Sequence, residues 1–145
     1  MMEEKMEGIN ILLVDDEIEF VETLSKRLVK RGFNVLFATT ASDAVEKISA
    51  GQFDVAVVDV RMPEMDGIAL LGEIKRMKPL MEVLLLTGYA SVQSGIEGMK
   101  KGAFDYIMKP ADIDELVKKI RDAYERKKQQ EDKIGKAENN ISSNK

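Results

Sequence analysis

The chain of 145 residues contains no cysteine and no histidine. Without cysteine it cannot form a disulfide, and no thiolate can serve as a nucleophile or a metal ligand. Without histidine it lacks the commonest general base at neutral pH and the imidazole group that binds many transition metals. A metal ion in this protein must therefore be held by oxygen atoms, which favours Mg²⁺, Mn²⁺ or Ca²⁺ over zinc.

Long apolar runs and an excess of positive charge are also absent. The first apolar run follows an acidic start and is about six residues long, which is too short for a signal peptide or a membrane span. The net charge of -4 argues against broad nucleic-acid binding by this chain. We therefore expect a cytoplasmic protein with no membrane contact and no direct nucleic-acid binding.

The composition is that of one globular domain. Hydrophobic residues make up 44% of the chain and charged residues 33%, which is enough apolar material for a core. The apolar pattern predicts a domain over residues 9–127, preceded by an N-terminal extension, 1–8. Residues 128–145 are polar, and we predict a helix extension there that frays into a disordered tail.

Short apolar runs alternate with segments in which apolar residues recur at helical spacing. The runs lie near residues 9–14, 34–38, 55–59, 83–86 and 105–108. Five such β-then-α units in succession predict an α/β fold with a doubly wound, five-stranded parallel sheet and five helices in three layers.

Polar side chains follow four of these runs at the point where each predicted strand ends. Asp15 and Asp16 follow the first run, Asp59 the third, Thr87 the fourth and Lys109 the fifth. Each residue alone has an ordinary explanation as a helix cap, a strand end or part of a loop. Because ligands of doubly wound sheets bind beyond the carboxyl ends of the strands, the joint placement predicts a binding site.

The predicted site contains more negative than positive charge. Asp15, Asp16 and Asp59 place three carboxylates near the single ammonium of Lys109, and crowded carboxylates either raise a pKa or attract a cation. Mg²⁺ suits such a site because it keeps several waters and needs only one or two carboxylates beside a phosphoryl oxygen. The Asp59 carboxylate can then act as a nucleophile and form an acyl phosphate without a general base.

These segments resemble the receiver domains of two-component response regulators, of the chemotaxis-regulator type. The matching stretches are residues 14–17, 59–67, 86–90 and 106–110, and the resemblance extends over about 9–127. It implies a flavodoxin-like strand order of 2-1-3-4-5. It also implies a phosphoryl donor, either a sensor histidine kinase or a phosphotransfer protein, and a downstream protein target or output domain.

The resemblance further implies a role for each site residue. Asp59 is the expected phospho-acceptor, and Asp15, Asp16, Asp59 and the Arg61 backbone carbonyl are the expected ligands of Mg²⁺, with Mn²⁺ as an alternative. Thr87 and Lys109 are expected to bind the phosphoryl oxygens, and the bond between Lys109 and Pro110 is expected to be cis.

The expected switch consists of Thr87 and Tyr106, whose movement on phosphorylation would repack the surface of the fourth helix, fifth strand and fifth helix. The same surface could carry a homodimer. Gly95 and Gly98 in the fourth predicted helix each cost about 1 kcal/mol relative to alanine, which favours low local stability there.

Three alternatives are open at this stage. In a phosphatase of the haloacid-dehalogenase type the nucleophile ends the first strand and another aspartate follows two residues later, whereas here Arg61 stands two residues after Asp59. A flavin-binding module would need a phosphate loop where Asp15 and Asp16 stand. The third is an interaction module that works without phosphorylation. As a receiver, the chain is expected to catalyse only its own phosphorylation and dephosphorylation, so we do not class it as an enzyme.

Overall fold

The computed structural model describes residues 8–62, 66–88 and 92–143. Strands and helices alternate along the chain, as the apolar pattern predicts. The elements are β1 (Asn10–Val14), α1 (Ile18–Lys30), β2 (Asn34–Ala38), α2 (Ala41–Ala50), β3 (Val55–Asp59), α3 (Gly67–Met77), β4 (Glu82–Thr87), α4 (Val92–Lys100), β5 (Asp105–Met108) and α5 (Ile113–Ser143).

The five strands form one parallel sheet in the order β2-β1-β3-β4-β5. The predicted fold class and strand order are therefore confirmed. β1, β3 and β4 are almost wholly buried, because helices cover both faces of the sheet and leave no solvated side.

Alternate residues of the strands serve two separate cores, since successive side chains of a strand point to opposite faces. One core contains Leu12, Val58 and Leu85 with residues of α2 and α3. The other contains Leu13, Val57 and Leu84 with residues of α1 and α5. The protein is thus a three-layer α/β/α structure.

Two helix starts have side-chain caps. Thr40 precedes α2, and its hydroxyl oxygen accepts a hydrogen bond of 3.0 Å from the Asp43 backbone N–H. Asp66 precedes α3 and accepts a bond of 2.8 Å from the Ala69 N–H. Such caps satisfy backbone donors that have no partner inside the helix. The Asp66 cap fixes the start of α3 directly after the β3–α3 connection.

The two glycines of α4 are in different environments. A Cβ atom on Gly98 would clash with Leu85 and stand 3.0 Å from the Ile68 Cδ1 atom, whereas one on Gly95 would stand 3.5 Å from Thr87 and Tyr106. Only Gly98 is therefore required for close packing of α4 on the sheet. Gly95 weakens the helix without a matching steric need.

α5 leaves the sheet as a continuous helix that ends at Ser143. For residues 128–145 the sequence predicts a helix extension that frays into a disordered tail, and in the structure the helix continues as far as residue 143. Ion pairs hold it where it passes the amino edge of the sheet: Lys127 Nζ lies 3.0 Å from Asp54 Oδ1, and Arg126 Nε 3.1 Å from Glu82 Oε2. The boundaries of the predicted domain and tail stay a prediction.

The membrane expectation concerns helix length and polarity. Within the described ranges, the structure contains no helix with the length and apolar character needed to cross a membrane.

Candidate functional site

The strand register brings the predicted site residues to one edge of the sheet. Val14 pairs with Val58, so Asp15 follows β1 beside the place where Asp59 ends β3. Asp59 is paired in turn with Leu86, the residue before Thr87. Because parallel strands end at the same edge, the side chains converge there.

Three carboxylates form the centre of this edge. Asp15, Asp16 and Asp59 each place one carboxylate oxygen within 4.8 Å of the others. Asp15 and Asp59 are buried, whereas Asp16 is exposed. This arrangement of hard oxygen donors with one solvent-facing member fits a small divalent cation that retains water ligands.

Burial and like charge act together on Asp59. The pKa of its carboxyl group is raised from 3.8 to about 6, first by burial and then by the negative charge of Asp15. The Lys109 ammonium and a hydrogen bond from the Arg61 backbone N–H lower it in part. The ammonium therefore does not fully compensate the carboxylates, as the sequence predicts.

The Lys109 ammonium contacts three acidic groups at the mouth of the site. Its Nζ atom donates a hydrogen bond of 2.8 Å to Asp15 Oδ2 and lies 3.6 Å from Asp59 Oδ1 and 3.7 Å from Glu17 Oε1. Burial alone would lower the pKa of Lys109, but the hydrogen bond and charge of Asp15, with the charges of Asp59 and Glu17, raise it overall. Lys109 is thus a fixed cation at neutral pH.

The Thr87 hydroxyl group is buried and, within the described part of the chain, has no hydrogen-bond partner. A buried hydroxyl without a hydrogen-bond partner destabilises the fold by roughly 1–3 kcal/mol. Such a group in a native structure calls for an explanation, and a ligand atom that binds it is one. The Lys109 backbone N–H donates a bond of 2.7 Å to the Thr87 carbonyl, and the peptide bond between Lys109 and Pro110 is cis, as expected. Thr87 and Lys109 are therefore tied together at adjacent strand ends.

Arg61 and Tyr106 lie on two sides of the site. Arg61 is exposed and borders a cleft of about 520 Å³ that also contacts Asp16 and Lys101. Tyr106 is half-buried and packs against the core shared by α2 and α3. Their assigned roles, as a carbonyl ligand and as a switch residue, stay predictions. Pro63 and Tyr89, which carry part of the family resemblance, lie outside the described residues.

Gly67 was not singled out as a site residue in the sequence, although the Asp66-Gly67 pair marks a turn. A Cβ atom at this position would clash with the Asp59 carbonyl oxygen and stand 2.7 Å from Val60 Cα. Only glycine allows the start of α3 to lie against the end of β3. Gly67 therefore fixes the backbone that carries Asp59.

Comparison with known proteins agrees with this geometry. A family model described as "Response regulator receiver domain" matches residues 11–121. "Transcriptional regulatory protein ZraR" of Escherichia coli K12 is 44% identical over 110 residues, which are 76% of this chain and 25% of that protein. "Regulatory protein AtoC" of the same organism is 41% identical over 112 residues, 77% of this chain and 24% of that protein.

A solved structure gives the same result. The crystal structure of a response regulator receiver domain protein from Clostridium thermocellum is 33% identical and has a TM-score of 0.81, covering 83% of this chain and 98% of that chain. This chain spans about a quarter of the length of the curated relatives it matches.

The prediction about partners is wrong. It gave the chain protein partners and a homodimer surface and excluded nucleic acid, but the curated relatives include a protein named as a transcriptional regulator. The error has a physical cause: net charge describes only the residues that are summed, and three quarters of each relative lies outside the match. An acidic receiver is compatible with a nucleic-acid output located elsewhere.

The match to the family model covers most of the chain, the sheet order agrees, and the acidic edge has the expected residues. The relatives are named as regulators rather than as enzymes, and phosphorylation-dependent switching is the function their receiver domains support. We conclude that this chain belongs to the family of response regulator receiver domains.

Proposed function

We propose that Asp59 accepts a phosphoryl group from a sensor histidine kinase in the presence of Mg²⁺. The observation that carries the proposal is the convergence, at a single sheet edge, of three carboxylates, the Lys109 ammonium and the Thr87 hydroxyl, which has no hydrogen-bond partner in the described part of the chain. These are the groups that phosphoryl transfer needs, namely a nucleophile, a metal site and donors for the phosphoryl oxygens. The cytoplasmic location expected from sequence is part of this proposal.

The metal would be held by Asp15, Asp16, Asp59 and the Arg61 backbone carbonyl. When bound, Mg²⁺ supplies positive charge that offsets the carboxylates and the negative phosphoryl oxygens. Asp16 is the exposed member of the group, so it faces the side from which a hydrated ion enters. Mn²⁺ has the same oxygen preference and is the alternative ion.

In the transfer step, a carboxylate oxygen of Asp59 forms a bond to phosphorus while the bond from phosphorus to the donor breaks. The donor leaves with the electron pair of that bond. Lys109 Nζ, 3.6 Å from Asp59 Oδ1, is placed to bind a phosphoryl oxygen, and the Thr87 hydroxyl can donate to another. The carboxylate is already ionised above its pKa of about 6, so no general base is needed.

Phosphorylation would change the surface formed by α4, β5 and α5. The hydroxyl of Thr87 moves toward the phosphoryl group, and the Tyr106 ring moves with it because both lie beside the same part of α4. The distance of 3.5 Å from each of them to an ideal Cβ on Gly95 supports this link. Because the chain is similar to proteins named as transcriptional regulators, the output that this surface controls would be transcription.

The chain would catalyse only its own phosphorylation and dephosphorylation. The test is incubation with Mg²⁺ and acetyl phosphate, followed by intact mass measurement. We expect one added phosphoryl group in the natural chain and none in Asp59→Asn. Asp54→Asn is the matched control, because Asp54 immediately precedes the same strand at its opposite end, and it should be phosphorylated normally. Phosphorylation of Asp59→Asn, or none of the natural chain, would refute the proposal.

A further inference from the structure

Phe20, in the first turn of α1, lies directly against the ammonium group of the site. The Lys109 Nζ atom is 4.7 Å from the centre of the Phe20 ring, inside the range of about 6 Å in which a cation is attracted to an aromatic face. The ring is half-buried and packs against the core shared by α1 and α5, so its position is fixed. The Lys109 side chain itself is only 22% exposed, which strengthens the attraction because little water competes.

Among the described residues, the other charged partners of the Lys109 ammonium are three carboxylates. Asp15 and Asp59 are the same groups that are proposed to bind the metal and the phosphoryl group, so their attraction for Lys109 weakens once those ligands are present. Glu17 is 3.7 Å away and its side chain is 69% exposed, which makes it a weak, screened partner. The anionic contacts of Lys109 therefore diminish at the moment when its position matters.

The Phe20 ring differs from these carboxylates because it can attract the ammonium without binding the metal ion. It attracts the ammonium through its π face but carries no lone pair that binds a metal ion or repels phosphoryl oxygens. Its hold on Lys109 is thus the same before and after the carboxylates are engaged. A leucine of similar volume would fill the space without this attraction.

We propose that Phe20 is a positioning residue that keeps the Lys109 ammonium directed into the pocket during phosphoryl transfer. The inference rests on the proposed function, since it concerns the same pocket. It acts through Lys109, and Phe20 touches none of the reacting atoms.

The first test compares phosphorylation rates at saturating Mg²⁺ with acetyl phosphate as donor. Phe20→Leu should be phosphorylated about tenfold more slowly than the natural chain, and Phe20→Tyr, which restores the ring, should be within about twofold. Phe104→Leu is the matched control, because Phe104 lies under the Arg126 guanidinium at 5.6 Å, remote from the pocket. It should leave the rate unchanged.

The second test needs neither metal nor phosphoryl donor. Nuclear magnetic resonance of the metal-free natural chain should show a Lys109 Cε methylene group that is shifted upfield by the ring and restricted in motion. In Phe20→Leu the upfield shift should be lost, although the hydrogen bond to Asp15 still restricts the methylene group, and in Phe20→Tyr the upfield shift should be kept. This measurement on the natural chain remains decisive even if the leucine variant does not fold.

Failure of this inference is distinguishable from failure of the proposed function. An equal phosphorylation rate for Phe20→Leu and the natural chain, or a Phe20→Tyr variant as slow as Phe20→Leu, would overturn the role of Phe20 alone. A Lys109 methylene group without the upfield ring shift in the natural chain would also overturn it. Absence of any phosphorylation in the natural chain would instead refute the assignment of Asp59.

Discussion

The two edges of the sheet contain the same kinds of charged groups in opposite balance. At the carboxyl edge, Asp15, Asp16 and Asp59 face the ammonium of Lys109, and the pKa of Asp59 is raised to about 6. The Thr87 hydroxyl lies at the same edge and finds no hydrogen-bond partner among the residues that the structure describes. This edge is left with excess negative charge and an unsatisfied donor.

At the amino edge, the buried Glu82 and the half-buried Asp54 each lie beside a cation. Glu82, the first residue of β4, is 4% exposed and lies within 3.5 Å of Lys75 and 3.1 Å of Arg126. Asp54 pairs with Lys127 at 3.0 Å. Burial alone would lower the pKa of Lys127, but its hydrogen bonds to Glu131 and Asp54 outweigh that and raise it.

The difference shows how charge can be used for structure or for binding within one sheet. At the amino edge, the paired carboxylates hold α5 against the sheet. Their charge is already compensated, so they have little attraction for a cationic ligand. The crowded carboxylates at the carboxyl edge destabilise the metal-free protein, and a bound cation would relieve their repulsion. Three changes should break or sharpen this contrast.

The largest effect is expected at the amino edge. In the double variant Lys75→Met, Arg126→Met, the Glu82 carboxylate stays buried without a cation, and the free energy of unfolding should fall by roughly 3–5 kcal/mol. Urea unfolding measures the loss. Lys118→Met is the control. Lys118 pairs with Asp122 in the helix and both side chains are at least half exposed, so this substitution should change stability by less than about 0.5 kcal/mol.

Phosphorylation at Asp59 should persist in the double variant and in the control. If the double variant lost phosphorylation, the two edges would be coupled.

The second change has the opposite sign. Because the folded state raises the pKa of Asp59 to about 6, the ionised carboxylate destabilises the folded chain at higher pH. At pH 7.5, metal-free Asp59→Asn should therefore have a free energy of unfolding about 3 kcal/mol higher than that of the natural chain. As the pH falls through about 6 toward 4, Asp59 takes up its proton in the folded state first, so the advantage of the asparagine should shrink to less than about 1 kcal/mol.

Paired urea titrations at several pH values with a chelator present measure this difference. The matching change at the amino edge, Asp54→Asn, should lower stability because it removes the partner of Lys127. If Asp59→Asn were less stable than the natural chain at pH 7.5, the negative charge at the carboxyl edge would already be compensated in the metal-free protein.

The smallest effect is expected in α4, next to the carboxyl edge. Gly95→Ala adds a methyl group with 3.5 Å contacts to Thr87 and Tyr106 and should stabilise the helix by up to about 1 kcal/mol. It should also reduce the amide shifts that an acyl-phosphate mimic causes in residues 92–100, because the methyl group occupies space beside the switch. Gly98→Ala, which clashes with Leu85, should instead destabilise by about 1–2 kcal/mol. Equal effects of the two alanines would contradict this distinction.

The sequence predicts the features that depend on local pattern. Apolar runs and helical spacing locate all ten elements, and because strands in a parallel sheet end at one edge, the polar residues after them were expected together. Asp15, Asp59 and Lys109 lie within contact distance as that reasoning requires. The strand order came from the family resemblance rather than from the pattern.

What the sequence does not reveal depends on contacts between distant segments. Glu82 and Arg126 are 44 positions apart, and nothing in either local pattern indicates that they meet. The same holds for Phe20 and Lys109. Propensity treats Gly95 and Gly98 as equivalent, and only the packing of α4 on Leu85 separates them. The sequence predicts a helix extension beyond residue 128 but not the contacts that hold its first turns, which are the pair between Lys127 and Glu131 and the amino-edge ion pairs.

The central claim is that the charge imbalance at the carboxyl edge is a cation site that completes the phosphoryl pocket. A titration of the metal-free chain with Mg²⁺, followed through the backbone amide resonances, tests it most directly. We predict saturable shifts at residues 15, 16, 59 and 61 that fit a single site and are greatly weakened in Asp15→Asn, with no change at residues 54 and 82. An absence of saturable shifts at the carboxyl edge, or equal shifts at both edges, would contradict the account.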